Sequence, residues 1–396
     1  MIHTEACGEK LSMLGFGTMR LPVDEAGKII EAQVAEMTEY ALSHGVNYFD
    51  TAYPYHGGEA ERVMGRVLEK YPRESFLLAT KYPGHQLSER YDPAATFEEQ
   101  LQKCGVEYFD FYLLHNVCEM SIDTYLDPRW GIVDYFLEQK RLGRIRHLGF
   151  SSHGQPDNLR RFLEKYGKDM EFCQIQLNYM DWTLQEAKEK CDLLNAHNIP
   201  IWVMEPLRGG RLAALSPADM GRLRSVHPDW TAAAWAFRWI AGVPGVKLIL
   251  SGMSNFVQMQ QNVETFAAMQ PLSAAEDALL LDIGEGMKNS VPCTGCRYCC
   301  DSCPMELDIP MMMNSLNEAR FGAQMGIGMR MESLPADKQP TACLGCGACV
   351  EMCPQKIDIP SHMQELADIL SKMPSWAETC RQREEAARRG REQAQK

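Results

Sequence analysis

The sequence predicts an α/β chain in two parts: a (β/α)8 TIM barrel, then a small, mainly helical, cysteine-rich module. Three observations carry this. Between residue 14 and about residue 253, eight short β-branched or aromatic runs alternate with longer amphipathic segments, which is the pattern of successive βα units. Most of the short runs are almost continuously apolar, as parallel strands covered on both faces must be. Nine of the fifteen cysteines fall between Cys293 and Cys353, a shift in composition that marks a second module. Eight units favour a closed barrel over an open doubly wound sheet. The open sheet would need a Gly-x-Gly-x-x-Gly turn after an early strand, and none stands there.

Taken in order, the expected strands are 14–17, 48–52, 76–81, 108–115, 145–151, 172–177, 199–205 and 247–252. Helical patterns separate them at 30–43, 59–70, 94–104, 184–197 and 231–241, and a further one covers 273–287. The segment from His115 to Trp130 is long for a βα connection and is expected to wall a pocket. The organisation expected is a barrel at 1–288, a cysteine module at 289–375 and a charged, helix-prone tail at 376–396 that frays.

At 396 residues and 45% hydrophobic content the chain can bury a large core. A net charge of -13 argues against nucleic acid or an anionic membrane as a bulk partner. No early apolar segment resembles a signal peptide, and no apolar run spans a bilayer. A cytoplasmic protein is expected, and in that reducing compartment clustered cysteines read as metal ligands before disulfides.

In a barrel the functional groups sit at the C-terminal ends of the strands. Four candidates fall there: Asp50 and Tyr55 after the second strand, Lys81 ending the third and His115 ending the fourth. Each alone has a plain structural reading, as a helix cap, a packed ring or a solvated charge. Together they form a proton-donating set. An ammonium lowers a phenol toward useful acidity, a carboxylate holds the ammonium, and an imidazole orients a carbonyl oxygen.

The stretch from Leu14 to Val263 resembles an aldo-keto reductase. The resemblance rests on Gly15-Phe16-Gly17-Thr18-Met19, then Phe49-Asp50-Thr51-Ala52 followed by Tyr55, then Ala79-Thr80-Lys81. It continues through Asp110-Phe111-Tyr112-Leu113-Leu114-His115, Gly143-Arg144-Ile145-Arg146-His147-Leu148-Gly149-Phe150-Ser151-Ser152 and Gln176-Leu177-Asn178-Tyr179. It implies a catalytic tetrad of Asp50, Tyr55, Lys81 and His115, with Tyr55 as general acid toward a small carbonyl substrate. It also implies NADP(H) or NAD(H), held at the carboxamide by Ser151, Ser152 and Gln176. Gly252-Met253-Ser254-Asn255 resembles the family's adenosine-phosphate segment, with Ser254, Gln258, Gln261 and Asn262 as the implied contacts. Two positions depart from the family pattern. Met204 stands where an aromatic often stacks on the nicotinamide, and Gly252 and Gln258 replace the basic pair that grips a 2′-phosphate. FMN is the alternative cofactor.

The cysteine module reads Cys293-x2-Cys296-x2-Cys299-x3-Cys303-Pro304 and, fifty residues on, Cys343-x2-Cys346-x2-Cys349-x3-Cys353-Pro354. This is the bacterial-type [4Fe–4S] run, present twice, in which the fourth cysteine of each run ligates the other cluster. One cluster then takes Cys293, Cys296, Cys299 and Cys353, and the other takes Cys343, Cys346, Cys349 and Cys303. Two zinc sites are the alternative, although zinc more often uses paired Cys-x2-Cys units. Asp308-Ile309-Pro310 is echoed by Asp358-Ile359-Pro360, and Gly295 by Gly345. The module resembles a two-cluster ferredoxin with helices after each Ile-Pro. Cys300 lies off the repeat, and the methionines around 311–313 and 325–331 read as packing.

Two enzyme readings follow. In the first, a nicotinamide reduces a carbonyl, or oxidises an alcohol in reverse, with Tyr55 as proton donor. In the second, a flavin is fed through the clusters by a ferredoxin-like redox partner. A non-catalytic docking or redox-sensing module on a nucleotide-binding barrel is the third reading, and the complete tetrad counts against it.

Overall fold

The computed structural model describes every residue except 87, 288–290, 292, 294, 296, 321–324, 354–355 and 395–396. Among the described residues ten strands are formed: β1 (His3–Ala6), β2 (Glu9–Ser12), β3 (Leu14–Gly17), β4 (Tyr48–Asp50), β5 (Leu77–Tyr82), β6 (Phe109–Leu114), β7 (Ile145–Ser152), β8 (Cys173–Gln176), β9 (Ile201–Met204) and β10 (Val246–Ser251). Strands β3 to β10 close into a parallel barrel, with β10 pairing both β9 and β3. All eight expected strands are present. The sequence reading missed β1 and β2, an antiparallel hairpin too short and polar to show a pattern. Its Ala6 and Leu11 join the barrel's interior cluster, so the hairpin closes the end where the strands begin.

That interior cluster explains the rim. It draws on Tyr48, Leu77, Ala79, Phe111, Leu113, Trp202, Leu248 and Leu250, which occupy alternate positions along their strands because side chains alternate across a sheet. Two residues further on, the same inward parity reaches Asp50, Lys81 and His115. The apolar interior thereby aims these groups at the mouth. On β7 the inward parity runs through Gly149 to Ser151. A Cβ on Gly149 would lie 2.5 Å from the carbonyl oxygen of Phe172, so only glycine lets Phe172 fill the interior there.

The chain divides into two compact units, Met1–Leu281 with Arg383–Lys396, and Asp282–Gln382. The second unit is helical and has its own core. Met312, Met313, Leu316, Ile327, Met331, Met363 and Leu366 are buried in it, so the methionine-rich stretch serves as packing. Short helices at Tyr298–Asp301 and Ala348–Met352 are each followed by a longer one, Ile309–Arg320 and Ile359–Ser371. The helix-prone tail is helical over Trp376–Ala394, and the fraying expected of it is not seen at Trp376 and Cys380, which are buried.

Candidate active site and cysteine centre

Lys81, fully buried, donates from Nζ to Asp50 Oδ1 at 2.6 Å and to the carbonyl oxygen of Thr51 at 2.7 Å. Its position is set from behind the strand. The neighbouring Thr80 points outward and donates to Glu61 at 2.6 Å, and Gln100 donates to Glu61 at 2.7 Å and to the Lys81 carbonyl at 3.1 Å. Tyr112 donates to Gln100 at 2.5 Å. Two helices, Glu59–Leu68 and Pro93–Cys104, thus fix the height of Lys81 through a buried polar network. Burial raises the Asp50 carboxyl and lowers the Lys81 ammonium, and each partner offsets the shift of the other.

Tyr55 sits on the turn after β4, its ring centre 5.1 Å from Lys81 Nζ and 6.0 Å, edge to face, from the His115 ring. Burial holds its phenol well above the ordinary value, Asp50 and Glu205 push the same way, and Arg383 acts in the opposite sense. Lys81, expected to lower it, is neutralised by Asp50 at hydrogen-bond distance and presents little net charge to the ring. Tyr55 is therefore a protonated donor at neutral pH.

His115 is held neutral. Burial drives it well below the usual imidazole value, helped by His85, Lys81, His153 and Arg383. Its Nδ1 is buried without a hydrogen-bond partner. His85, 4% exposed, lies 4.4 Å from the His115 ring centre, and burial brings it down to about 3. His153 is brought down to about 4. Sequence reading missed His85, His153 and Arg383. The first two follow Lys81 and Ser152 closely enough that strand-end position alone could have flagged them. Arg383 carried no such signal.

The expected carboxamide contacts also meet at the rim. Ser151 Oγ accepts from the Asn116 backbone at 2.8 Å, Ser152 Oγ donates to the Val117 carbonyl at 2.8 Å, and Gln176 donates to Asp181 at 2.8 Å. Asp181 is itself held by Asn178 at 2.7 Å and by buried Arg208 at 3.1 Å. Around β10, Asn255 caps helix Phe256–Ala267 by accepting from Gln258 N at 2.9 Å, and Gln258 Oε1 accepts from Ser254 N at 2.8 Å. Asn262 donates to Ser251 at 3.1 Å, and Gln261 is exposed. A helix start at this end of a barrel suits a phosphate, so the donor set fits a pyridine dinucleotide. Across this region Arg20 pairs with Glu205 at 3.0 Å. Met204 meets Gln174 Nε2 through its sulfur at 3.6 Å, where an aromatic would stack.

In the second unit the fifty-residue repeat is kept at the backbone. Left-handed residues recur at Gly295 and Gly345, Arg297 and Gly347, and Glu306 and Lys356. Cys303 N bonds Cys300 O at 3.1 Å as Cys353 N bonds Val350 O at 3.2 Å. Glu306 N bonds Cys303 O at 2.9 Å as Lys356 N bonds Cys353 O at 3.1 Å. Cys303, Cys343, Cys346 and Cys349 line one apolar pocket, with Pro304, Leu307, Ile309 and Met363. These are one run's first three cysteines and the other run's fourth, the set expected for one cluster. Four convergent thiols in an apolar wall fit a [4Fe–4S] centre. Of the other set, Cys299 and Cys353 are buried and Cys293 is half-buried, while Cys296 lies outside the described residues. Cys300, off the repeat, packs against the same core.

Comparison with known proteins agrees with both halves. Residues 13–282 match the aldo/keto reductase family, and residues 286–354 match a 4Fe-4S dicluster domain. The chain belongs to the aldo/keto reductase family. It is similar to the NADH-specific methylglyoxal reductase of Escherichia coli (strain K12), 25% identical over 70% of this chain and 96% of that protein. It is also similar to L-galactose dehydrogenase of Arabidopsis thaliana, 24% identical over 69% of this chain and 89% of that one. Among solved structures, an aldo-keto reductase from Bacillus halodurans in its holo form superposes with a TM-score of 0.59. It is 24% identical and covers 72% of this chain and 96% of that one. One from Klebsiella pneumoniae in complex with NADPH gives 0.57 at 22% identity, covering 71% and 94%. The protein is an oxidoreductase. Among the described residues no helix is long and apolar enough to cross a membrane.

Proposed function

We propose that the barrel, within residues 1–288, reduces a small carbonyl compound with a nicotinamide cofactor, Tyr55 giving the proton. The observation that carries this is the buried Lys81–Asp50 pair at 2.6 Å beneath a Tyr55 and a His115 that both stay neutral. A bound dihydronicotinamide supplies hydride to the carbonyl carbon. Ser151, Ser152 and Gln176 hold its carboxamide, while Ser254, Gln258, Gln261 and Asn262 take its adenosine end. His115 donates to the carbonyl oxygen and orients it. As negative charge develops on that oxygen, the Tyr55 hydroxyl passes its proton there. The absence of a basic side chain at Gly252 and Gln258, together with the NADH-specific Escherichia coli relative, supports NADH as the preferred form.

In residues 289–375, two [4Fe–4S] clusters are proposed on Cys293, Cys296, Cys299 and Cys353 and on Cys343, Cys346, Cys349 and Cys303. Bound clusters supply single-electron transfer. Met204, in place of a stacking aromatic, favours a second reading in which FMN occupies the barrel and a ferredoxin-like partner feeds it through the clusters. Tyr55→Phe tests the first reading. The expected result is a fall in kcat of about 10²- to 10⁴-fold with nicotinamide affinity retained, and an unchanged kcat would remove Tyr55 from the role.

A further inference from the structure

At the end of the barrel where the strands begin, three chain segments bring a thiol, an imidazole and a carboxylate together. Cys7 lies in the turn between β1 and β2, His147 near the start of β7, and Glu171 two residues before β8. Their ligand atoms all lie within 4.8 Å of one another. Cys7 holds its place at a conformational cost. Ala6 pairs with Glu9, so Cys7 and Gly8 form a two-residue loop, with φ of 55° and 81°. Asparagine, aspartate and glycine are the residues such a turn prefers, and a cysteine at positive φ points to a role beyond the turn. Its Sγ turns under the barrel and donates to the Glu171 carbonyl at 3.4 Å, and the side chain packs against the interior cluster.

The other two groups are oriented by their neighbours. Glu171 Oε1 is engaged by Lys140 Nζ at 2.7 Å and by the Leu148 backbone N–H at 3.2 Å. Its Oε2 is turned instead to His147 Nδ1, at 2.9 Å. The second ring nitrogen, Nε2, faces Glu9 Oε1 at 3.7 Å, and the ring lies tilted against Phe111, with centres 4.9 Å apart. A carboxylate behind the far nitrogen is how metal-binding imidazoles are usually backed. Zinc bonds to sulfur, nitrogen and oxygen set tetrahedral ligands about 3.3–3.5 Å apart, so His147 and Glu171 need to open only slightly. From this convergence we propose that Cys7 Sγ, His147 Nδ1 and Glu171 Oε2 bind one zinc-class divalent cation, with water in the fourth position. The thiol proton is released as the ion enters, and the imidazole carries its proton on Nε2, toward Glu9. The ion fastens the β1–β2 hairpin to the strand starts, at the opposite end of the barrel from Tyr55.

The test uses full-length, cluster-loaded protein kept free of oxygen, with zinc chloride as the probe and a fluorescent indicator to read the free ion. The expected result is about one zinc per chain that survives gel filtration with the iron content unchanged. X-ray absorption at the zinc edge should show one sulfur among nitrogen and oxygen neighbours. Cys7→Asn should raise the dissociation constant at least about 100-fold, the most that loss of an outer partner alone costs, while asparagine suits the turn and keeps the hairpin folded. His147→Phe, which retains a ring against Phe111, should weaken binding as much. Zinc should also raise the barrel's melting midpoint in the unaltered protein and leave it unmoved in Cys7→Asn. Zinc held equally well by both variants, none retained by the unaltered protein, or a shell of four sulfurs would each overturn the site.

Discussion

The barrel rim and the cysteine cavity hold their reactive groups in opposite ways. At the rim Lys81 and Gln176 are fixed by protein. Lys81 has two hydrogen bonds of its own and a second layer through Glu61, Gln100 and Thr80, and Gln176 is held by Asp181. In the second unit the thiols lie in an apolar wall, held by backbone turns and by packing. The Lys81–Asp50 pair is held by the protein itself, whereas four thiols gathered around a cavity are suited to being held by what they bind.

The largest expected effect of this contrast comes from removing iron. An anaerobic chelator should abolish the cooperative melting of residues 282–382, because Cys299, Cys349 and Cys353 belong to that unit's core. The barrel's transition should stay near its original temperature. Calorimetry reads both, and a single joint collapse would contradict the contrast. Next is Asp50→Asn. It leaves the Lys81 ammonium buried against a neutral amide, at a cost of about 3–5 kcal/mol, measured by denaturant unfolding of the cluster-loaded protein. A loss below about 1 kcal/mol would mean that Lys81 is neutral already.

Much of this was legible in the sequence. The eight strands were visible because parallel strands buried on both faces are written as apolar runs, and Asp50, Lys81 and His115 because each ends one. The cysteine repeat was plainer still, since ligand spacing is local. The helix at 376–394 was legible as helix-prone, but its packing was missed for a physical reason. Its barrel-facing stripe consists of Arg383, Ala386, Ala387 and Gly390, small or charged residues that carry no hydrophobic signal yet permit close approach. His85 could have been flagged by its place just after Lys81, but its 4.4 Å approach to His115 is encoded by no spacing.

Two smaller effects sharpen the comparison. Cys349→Ala should halve the iron, from about eight to about four atoms per chain, with the remaining spectrum that of a single cluster. Iron that stays at eight would mean that Cys349 is no ligand. His85→Phe probes the rim by pH. An imidazole that titrates at about 3 when folded and at about 6.5 when unfolded leaves the unfolded chain with more protons in between, so stability is full above the upper value and lost as pH falls below it. Between pH 7 and about 5.5 this one group costs about 1.3 kcal/mol. The phenylalanine variant should lose that much less over the same interval in acid denaturation curves, and an identical pH dependence would show that His85 titrates normally.

The central proposal is that the barrel moves hydride directly from a nicotinamide to the carbonyl carbon. It is tested by reducing a carbonyl substrate with nicotinamide deuterated at C4 on one face and then on the other, in ordinary water, and locating the label by mass spectrometry. Direct transfer predicts one deuterium on the carbinol carbon from one face and none from the other. A product carrying only solvent hydrogen from both faces would contradict the account and assign the electrons to a flavin.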